Sequence, residues 1–243
     1  MTIKGILFDL YGTLIDINTD ESLEEIYRGI AHFLTYHGIY LHRGEVRNRY
    51  WEILRQQKEE SKEEYSEIDV EAIWNTFLKN EGLEPLPSRQ NLAVTLAQLF
   101  RGISRTRLRL YPEVKRILDE LRPGYLLGII SDAQPCYALP EIRAAGLEGY
   151  FDPVIISAPR GYRKPDPRLW GEALQVMKLN PSQAIYVGND MYRDIFGAQR
   201  VGIRTIFVDS NQGAKSYQNI TPDFFAARFG QVMEGIVSVD SAH

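Results

Sequence analysis

The architecture follows from ten residues near the start of the chain, Gly5-Ile6-Leu7-Phe8-Asp9-Leu10-Tyr11-Gly12-Thr13-Leu14. The apolar run Ile6 to Phe8 is typical of a buried strand, and it ends abruptly in the carboxylate of Asp9. Gly12 and Thr13 then let the backbone turn sharply. In open α/β sheets, ligands bind at the carboxyl ends of the strands, and an aspartate can serve there as a nucleophile that forms a covalent intermediate. The alternative is an aspartate that only caps the turn after the first strand.

Alternation between apolar runs and helical patterns begins at about residue 111. Strand-like runs lie at residues 125–130, 151–157, 184–187 and 205–208. Helical patterns lie at residues 112–121, 135–145, 166–177 and 194–201. Strands that alternate with helices predict a parallel sheet covered on both faces. We therefore predict an α/β fold with a Rossmann-like parallel-sheet core and helices on both faces.

The region between the first strand and the alternating part of the chain contains helical patterns alone. They lie at residues 23–37, 44–64, 69–80 and 87–100, and no strand pattern is evident from Asp20 to Arg109. We therefore predict a core formed by residues 1–15 and 111–243. Residues 16–110 are predicted to form an all-helical cap, inserted after the first strand and placed over the edge of the sheet that carries Asp9.

Chemically active side chains collect just after the predicted strands. Asp9 follows the first strand, Ser131 follows the run at 125–130, and Asp190 follows the run at 184–187. Because parallel strands end at one edge of the sheet, we expect these residues to converge there. The hydroxyl of Ser131 can donate to an anion held beside Asp9, although a serine after a strand is usually only a turn residue.

Lys164 lies in the sequence Lys164-Pro165-Asp166-Pro167, which suits the entry into a helix because Asp166 can cap it. Helix entry explains the prolines and Asp166 but gives no role to the lysine. A single ammonium at the edge of the sheet could screen Asp9 and hold an anion. Lys164 is therefore a candidate for the active site.

Asp190 and Asp194 lie four residues apart. Asp194 alone could be a carboxylate that favours a helix N-terminus. Together with Asp9 the two are hard to explain as structure, because clustered carboxylates repel one another unless one is protonated or a cation lies among them. Mg²⁺ prefers oxygen ligands of this kind, so the sequence predicts a magnesium cofactor.

These residues, in this order, resemble motifs one to four of the haloacid dehalogenase superfamily over about residues 1–15 and 111–230. The resemblance implies a hydrolase in which an aspartate attacks the substrate and water later hydrolyses the aspartyl intermediate. The implied catalytic residues are Asp9, Tyr11, Ser131 and Lys164. The implied substrate-binding residues are Gly12, Thr13, Ser131, Asp132 and Lys164. The implied magnesium ligands are Asp9, the backbone carbonyl of Tyr11, Asp190 and Asp194.

Position 11 separates two branches of that superfamily. The first motif of its phosphatases usually reads Asp-x-Asp-Gly-Thr, and the second aspartate protonates the leaving group. Tyr11 takes that place here, which is typical of 2-haloacid dehalogenases. The resemblance implies that these enzymes use no metal and need no acid at this position, because a halide leaves without protonation whereas an alkoxide does not. A phenol, with an ordinary pKa of about 10, is a poor substitute for a carboxylic acid.

Other residues favour the phosphatase branch. In dehalogenases, motif four usually resembles Ser-Ser-Asn, whereas this chain has Asn189-Asp190. Without a metal to offset it, Asp190 would add negative charge beside an anionic substrate. Phosphatases commonly read Gly-Asp where this chain reads Gly188-Asn189, which either shifts the metal-binding aspartate to Asp190 or weakens the site. Dehalogenases also anchor the substrate with an arginine of the cap. The candidates for that arginine are Arg43, Arg47, Arg49 and Arg55.

The leading hypothesis is therefore Mg²⁺-dependent hydrolysis of a small phosphate monoester. One alternative is metal-independent 2-haloacid dehalogenation by the same Asp9. A second alternative is a catalytically weak chain that binds a phosphometabolite or a protein, because Tyr11 removes the acid. A further basic patch is interpreted as a solvated hinge where the cap rejoins the core. It consists of Arg101, Arg105, Arg107 and Arg109.

Composition sets further bounds. The 243 residues carry a net charge of −4, which argues against a nucleic-acid partner. The single cysteine, Cys136, excludes a disulfide within the chain. No apolar window is long enough to span a membrane, and the first residues lack a signal-peptide pattern, so we expect a cytoplasmic protein. The expected partner is a small anionic substrate, and the sequence leaves the oligomeric state open between a monomer and a homodimer.

Overall fold

The computed structural model describes residues 2–83 and 91–241. Its strands are β1 (Gly5–Phe8), β2 (Ile15–Thr19), β3 (Arg105–Leu110), β4 (Leu126–Ser131), β5 (Val154–Ile156), β6 (Ala184–Gly188), β7 (Arg204–Val208) and β8 (Phe224–Ala226). Its helices are α1 (Glu24–Thr35), α2 (Arg43–Glu60), α3 (Val70–Asn80), α4 (Leu92–Ser104), α5 (Val114–Leu121), α6 (Pro135–Ala144), α7 (Pro167–Met177), α8 (Gly197–Gln199) and α9 (Val232–Ser241).

Six parallel strands form the central sheet in the spatial order β5-β4-β1-β6-β7-β8. Phe8 of β1 lies opposite Ile129 of β4 and Val187 of β6, so Asp9 stands beside the carboxyl ends of both neighbouring strands. Apolar side chains of α5, α6 and α9 pack on one face of the sheet, and those of α7 and α8 pack on the other. The predicted α/β fold with helices on both faces is confirmed.

Helices α1 to α4 bury a separate apolar cluster, centred on aromatic side chains such as Trp74 and Phe100. Three of these helices were predicted at 23–37, 44–64 and 69–80. The predicted start of the fourth, at residue 87, lies outside the described residues, and α4 is seen from Leu92. The division into a cap of residues 16–110 and a core stays a prediction.

The prediction of no strand between Asp20 and Arg109 was wrong, because Arg105–Leu110 pairs antiparallel with β2. Leu108 and Leu110 lie opposite the buried Ile17 and Ile15 in that ribbon. Apolar and charged residues alternate along β3, as they do in a half-buried strand, but the arginines hid this pattern. The ribbon connects the sheet to the helical cluster.

The segment after β6 also differs from the prediction. A helix was predicted over residues 194–201, whereas the structure forms a π-helical turn, Met191–Phe196, that leads into the short α8. Strand β8 and helix α9 were not predicted. Among the helices of the described chain, none combines the length and apolar character needed to cross a membrane.

Candidate active site

Asp9 is buried at the end of β1 and contacts a buried cation. Its Oδ1 lies 2.6 Å from Nζ of Lys164, and its Oδ2 accepts a hydrogen bond from the hydroxyl of Thr13 at 3.1 Å. Burial raises the pKa of Asp9 to about 7, against the opposing effect of the Lys164 ammonium. Asp9 is thus a carboxylate that exchanges its proton near neutral pH.

Lys164 bridges two carboxylates. Its Nζ also lies 2.7 Å from Oδ1 of Asp194 and 3.3 Å from the hydroxyl of Tyr186. Burial alone would lower the pKa of Lys164, but the carboxylates of Asp194 and Asp9 raise it well above its ordinary value. The ammonium therefore stays charged, as the sequence analysis expected of a cation that screens Asp9.

Asp194 fixes the loop after β6. Its Oδ2 accepts hydrogen bonds from the backbone N–H groups of Asn189 and Asp190, both at 3.0 Å, and its Oδ1 accepts one from Tyr186. The carboxylate lies so close to the backbone of Gly188 that a Cβ atom there would stand 2.5 Å from the Asp194 side chain. Both oxygens of Asp194 are therefore engaged by the protein.

Asp190 holds Arg193. Its Oδ1 accepts from the backbone N–H groups of Tyr192 and Arg193, and its Oδ2 accepts from the Arg193 guanidinium at 2.9 Å and from the backbone of Ala214 at 3.1 Å. Burial would raise the pKa of Asp190, but the hydrogen bonds from Arg193 keep it below its ordinary value. The carboxylate thus begins the π-helical turn and orients a cation, a role that the sequence analysis did not foresee.

The predicted magnesium ligands fit an ion only in part. Asp190 and Asp194 have no oxygen left free, and in residues 2–83 and 91–241 no group of three or more His, Cys, Asp or Glu side chains is arranged to hold a metal. Oδ2 of Asp9 and Oδ1 of Asn189 are less engaged, because they share the single hydroxyl proton of Thr13, at 3.1 and 3.0 Å. Mg²⁺ in phosphate-handling sites commonly takes one or two carboxylates and retains waters, so this smaller pair suits it. A site built on Asn189 would match the weakened alternative, and the magnesium ligands stay a prediction.

Gly12 leaves room for the side chain of Asn189 to approach Thr13. It has a φ of +93°, and a Cβ atom at this position would lie 2.4 Å from the side-chain nitrogen of Asn189. A side chain at position 12 would therefore strain the backbone and push Asn189 away from Thr13. Its role in the turn is one of backbone geometry, and its predicted contact with substrate stays a prediction.

A cavity of about 110 Å³ brings most of the predicted residues together. Its lining includes Asp9, Tyr11, Ser131, Asp132, Lys164, Asp190 and Asp194, together with Asn189, Arg193 and Gln212. Two of the lining atoms are buried and have no hydrogen-bond partner within the described structure, namely Oγ of Ser131 and Oδ2 of Asp132. Buried polar atoms without a partner are rare in native proteins, which makes this cavity a candidate ligand site.

A second cavity of about 240 Å³ lies between the core and the helical cluster. Tyr50, Phe100 and Tyr137 give it aromatic walls, and Arg101 and Arg163 add positive charge. The two cavities share three lining residues. These are Tyr11, Asp132 and Arg193.

Tyr11 is held by a charged group that the sequence analysis missed. Its hydroxyl donates a hydrogen bond to Glu141 of α6, which also accepts from Arg101 at 2.9 and 3.1 Å and from Arg105 at 3.0 Å. Burial, and next the charge of Glu141, raise the pKa of Tyr11 well above its ordinary value. The phenol therefore keeps its proton and directs it at Glu141.

The interpretation of Arg101 as part of a solvated hinge was wrong, because only 17% of its side chain is exposed. Its guanidinium packs 5.3 Å from the centre of the Tyr11 ring. The available signal was Glu141, which falls on the buried face of α6 with Ala138 and Ile142. A carboxylate at such a position indicates a buried cationic partner.

The four arginines proposed as substrate anchors lie elsewhere. Arg43 and Arg47 pair with Glu24, Arg49 pairs with Glu81, and Arg55 pairs with Glu52 and Glu59. None of the four lines either cavity beside Asp9. The cations that do line them are Lys164, Arg101, Arg163 and Arg193.

The parallel sheet, covered by helices on both faces, and the buried aspartate–lysine pair at the carboxyl ends of its strands define an α/β fold with a candidate active site at the edge of the sheet. The chain belongs to the haloacid dehalogenase-like hydrolase family, whose model matches residues 3–202. The family resemblance that the four motifs carried is thereby confirmed, and the chain is an enzyme.

Two relatives by sequence are named phosphatases. A glyceraldehyde 3-phosphate phosphatase of Pyrococcus furiosus is 29% identical over 206 residues, which cover 84% of this chain and 80% of the relative. A phosphoserine phosphatase of Thermus thermophilus is 35% identical over 130 residues, 53% of this chain and 52% of the relative. By structure, a 2-haloacid dehalogenase of Pseudomonas syringae pv. Tomato matches 97% of this chain and 99% of its own length, with a TM-score of 0.71 and 25% identity. The comparisons thus include proteins named as phosphatases and a protein named as a dehalogenase.

Proposed function

We propose that this hydrolase cleaves a small phosphate monoester through a covalent intermediate on Asp9. The observation that carries the proposal is the 2.6 Å contact between Asp9 and Lys164, buried in a cavity where the hydroxyl of Ser131 has no protein partner. The relatives named as phosphatases support a phosphate ester as the substrate.

Each polar group at the cavity has a separate task in this reaction. The carboxylate of Asp9 attacks phosphorus, the Asp9–phosphorus bond forms, and the bond from phosphorus to the ester oxygen breaks. Ser131 donates its hydrogen bond to a phosphoryl oxygen, and Lys164 offsets the negative charge beside it. Water then hydrolyses the aspartyl phosphate and releases inorganic phosphate.

Magnesium dependence is part of the proposal. Oδ2 of Asp9 and Oδ1 of Asn189 would hold the ion, with the predicted help of the backbone carbonyl of Tyr11. When bound, the ion would neutralise charge on the phosphoryl group. The amide of Asn189 is a weaker ligand than a carboxylate, so we expect this site to require a higher magnesium concentration than a site with two aspartates.

Metal-independent dehalogenation is the second candidate, and two observations favour it. Tyr11 is locked to Glu141, and an amide stands at position 189 where the phosphatase pattern has an aspartate. The four arginines expected as the substrate anchor, Arg43, Arg47, Arg49 and Arg55, lie outside the cavities. Arg101, which belongs to residues 16–110 and does line the larger cavity, already has its guanidinium bonded to Glu141. We therefore rank phosphate ester hydrolysis first.

Two release assays on the purified chain separate the candidates. We expect phosphate release from 4-nitrophenyl phosphate in Mg²⁺, a decrease in EDTA, and no chloride release from 2-chloropropionate. Asp9→Asn should lower the rate by about 10³-fold or more, because the nucleophile is lost. Asp16→Asn is the matched control, since Asp16 is a buried aspartate of β2 outside both cavities.

Three results would contradict parts of this proposal. Chloride release that is unchanged in EDTA would make the dehalogenase the function. Activity that survives Asp9→Asn would exclude the aspartyl intermediate. Inactivity in both assays, with a phosphate ester still bound, would favour a catalytically weak binding protein.

A further inference from the structure

The boundary between the two cavities is where bond cleavage must take place, if the proposed function holds. The phosphoryl group fits the smaller cavity beside Asp9 and Ser131, and the organic part of the ester fits the larger one with its aromatic walls. The oxygen that joins the two parts then lies at the residues that line both cavities. Those residues are Tyr11, Asp132 and Arg193.

Only one of the three can supply a proton there. The hydroxyl of Tyr11 is already bonded to Glu141. A guanidinium such as that of Arg193 does not give up a proton in proteins. Asp132 is the remaining group, and an alkoxide leaving group needs an acid.

The carboxyl group of Asp132 is fixed by one oxygen and free at the other. Oδ1 accepts a hydrogen bond from the backbone N–H of Lys164 at 2.9 Å. Oδ2 is buried without a hydrogen-bond partner in the described structure, and only 10% of the side chain is exposed. Because Oδ1 is already engaged, a proton on this group is expected on Oδ2, the oxygen without a protein partner.

Four charged groups act on this carboxyl. Arg193 places Nη1 at 3.9 Å from Oδ2, and the charges of Lys164, Asp194 and Glu67 lie close enough to interact. Burial raises the pKa of Asp132, while Lys164 and Arg193 act in the opposite direction. Burial thus favours the protonated acid, and Arg193 stabilises the carboxylate that remains once the proton has left.

We infer that Asp132 is the general acid of this enzyme and takes over the task that an aspartate at position 11 would perform. As the bond between phosphorus and the ester oxygen breaks, the proton moves from Oδ2 of Asp132 to that oxygen, and an alcohol leaves. The Asp132 carboxylate then accepts a proton from the water that attacks the aspartyl phosphate. The sum is ester plus water giving alcohol plus phosphate, with Asp132 protonated again.

The test compares two esters on the same preparation of Asp132→Asn. Asparagine keeps the size of the side chain and an acceptor for the Lys164 N–H. We expect kcat/KM for 2-phenylethyl phosphate to fall about 10²–10⁴-fold, the usual contribution of a general acid. For 4-nitrophenyl phosphate we expect a loss below about tenfold, since nitrophenolate leaves without protonation. The ratio of the two losses does not depend on how much of the sample is folded.

Asp16→Asn is the matched control. Asp16 is a buried carboxylate that lines neither cavity, and it accepts hydrogen bonds from Arg107 at 2.9 Å and from Arg109 at 3.1 Å. The ratio between the two esters should stay at the wild-type value in this variant. A selective loss on 2-phenylethyl phosphate in Asp16→Asn as large as that in Asp132→Asn would overturn the inference.

Two further results would also overturn it. Equal losses on both esters in Asp132→Asn would show that Asp132 only positions Lys164. No loss on either ester would show that the proton comes from elsewhere. If the wild-type chain cleaves neither ester, the proposed function is refuted, and the role of Asp132 is refuted with it. If the wild type cleaves both esters and Asp132→Asn loses activity equally on both, only the role of Asp132 as the acid is refuted.

Discussion

Two clusters of charge meet around the first motif, and they are balanced in opposite ways. The first, which we call the sheet edge, consists of Asp9, Lys164 and Asp194. The second, which we call the seam, consists of Tyr11, Arg101, Arg105 and Glu141. The sheet edge has one cation for two carboxylates, and the seam has two cations for one carboxylate.

This difference sets the chemistry of each cluster. At the sheet edge, burial raises the pKa of Asp9 to about 7; the single ammonium of Lys164 opposes this rise, and the negative charge of Asp194 adds to it. At the seam, burial would raise the pKa of Glu141, but the hydrogen bonds from Arg101 lower it below the ordinary value. The seam therefore keeps its charge and holds α4 and β3 to α6, while the sheet edge is left reactive.

Removal of the cation from the sheet edge has the largest expected effect. Lys164→Met leaves the carboxylates of Asp9 and Asp194 buried without the cation that lies between them. Because an uncompensated buried charge is costly, we expect the free energy of unfolding at pH 8 to fall by about 3–5 kcal/mol, measured by urea denaturation. Hydrolysis of 4-nitrophenyl phosphate should be lost as well.

Arg116→Met provides the matched control for this variant. Arg116 also lies between two carboxylates, Glu113 at 2.7 Å and Glu120 at 2.6 Å, but about half of its side chain is exposed. An exposed bridge contributes little, so stability and activity should stay near the wild-type values. Equal destabilisation by the two variants would show that burial of the sheet edge does not matter.

The pH dependence of stability should separate the two clusters next. The pKa of Asp9 is about 7 in the folded chain and 3.8 as its ordinary value, so the folded state binds the proton more tightly between these limits. The contribution of Asp9 to stability is therefore present at low pH and lost as the pH rises. We expect the wild type to lose up to about 1.4 kcal/mol per pH unit relative to Asp9→Asn between pH 5 and 6.5, in EDTA.

Glu141→Gln tests the seam in the same experiment. A carboxylate with a lowered pKa contributes stability above its unfolded pKa and loses it only as the pH falls through the folded value. Between pH 5.5 and 6.5 the free energy of unfolding of Glu141→Gln should therefore change with pH by the same amount as that of the wild type. If the free energy of unfolding of Asp9→Asn also changed with pH by the same amount as that of the wild type, Asp9 would not titrate in this range.

The sheet edge could be predicted from sequence because it depends on short-range rules. An apolar run that ends in Asp9, and the convergence of parallel strand ends, predict that Ser131 lies beside Asp9. Lys164 was found because the helix entry gives it no role, and Asp194 because it repeats the carboxylate of Asp190 four residues later. The family resemblance added the order of the motifs. These signals do not depend on how the rest of the chain packs.

Asp190 shows where such rules stop. It follows β6 as closely as a metal ligand would, yet its side chain turns back to its own π-helical turn and to Arg193. Whether an aspartate faces a cavity or caps its own turn depends on the backbone path of the loop, which spacing does not reveal. The seam was missed for a related reason, since Arg101 and Glu141 lie forty residues apart and carry no shared motif.

The smallest expected effect, and the one that bears most directly on the seam, is that of Tyr11→Phe. The variant loses one hydrogen bond to Glu141, which keeps both of its arginines. We therefore expect stability to fall by about 1 kcal/mol in urea denaturation. Because the phenol proton is directed at Glu141, kcat on phosphate esters should change by less than about tenfold, whereas loss of a general acid would cost about 10²–10⁴-fold.

Tyr150→Phe is the matched control for this last prediction, because the hydroxyl of Tyr150 donates to Asp119 and its ring lies 5.5 Å from Arg122, as Tyr11 lies against Arg101. The Tyr150 group is on the surface, so its loss should change neither stability nor rate measurably. If Tyr11→Phe instead lost a hundredfold in rate on 2-phenylethyl phosphate and little on 4-nitrophenyl phosphate, Tyr11 would be the acid. The seam would then belong to the reactive part of the enzyme, and the contrast between the two clusters would fail.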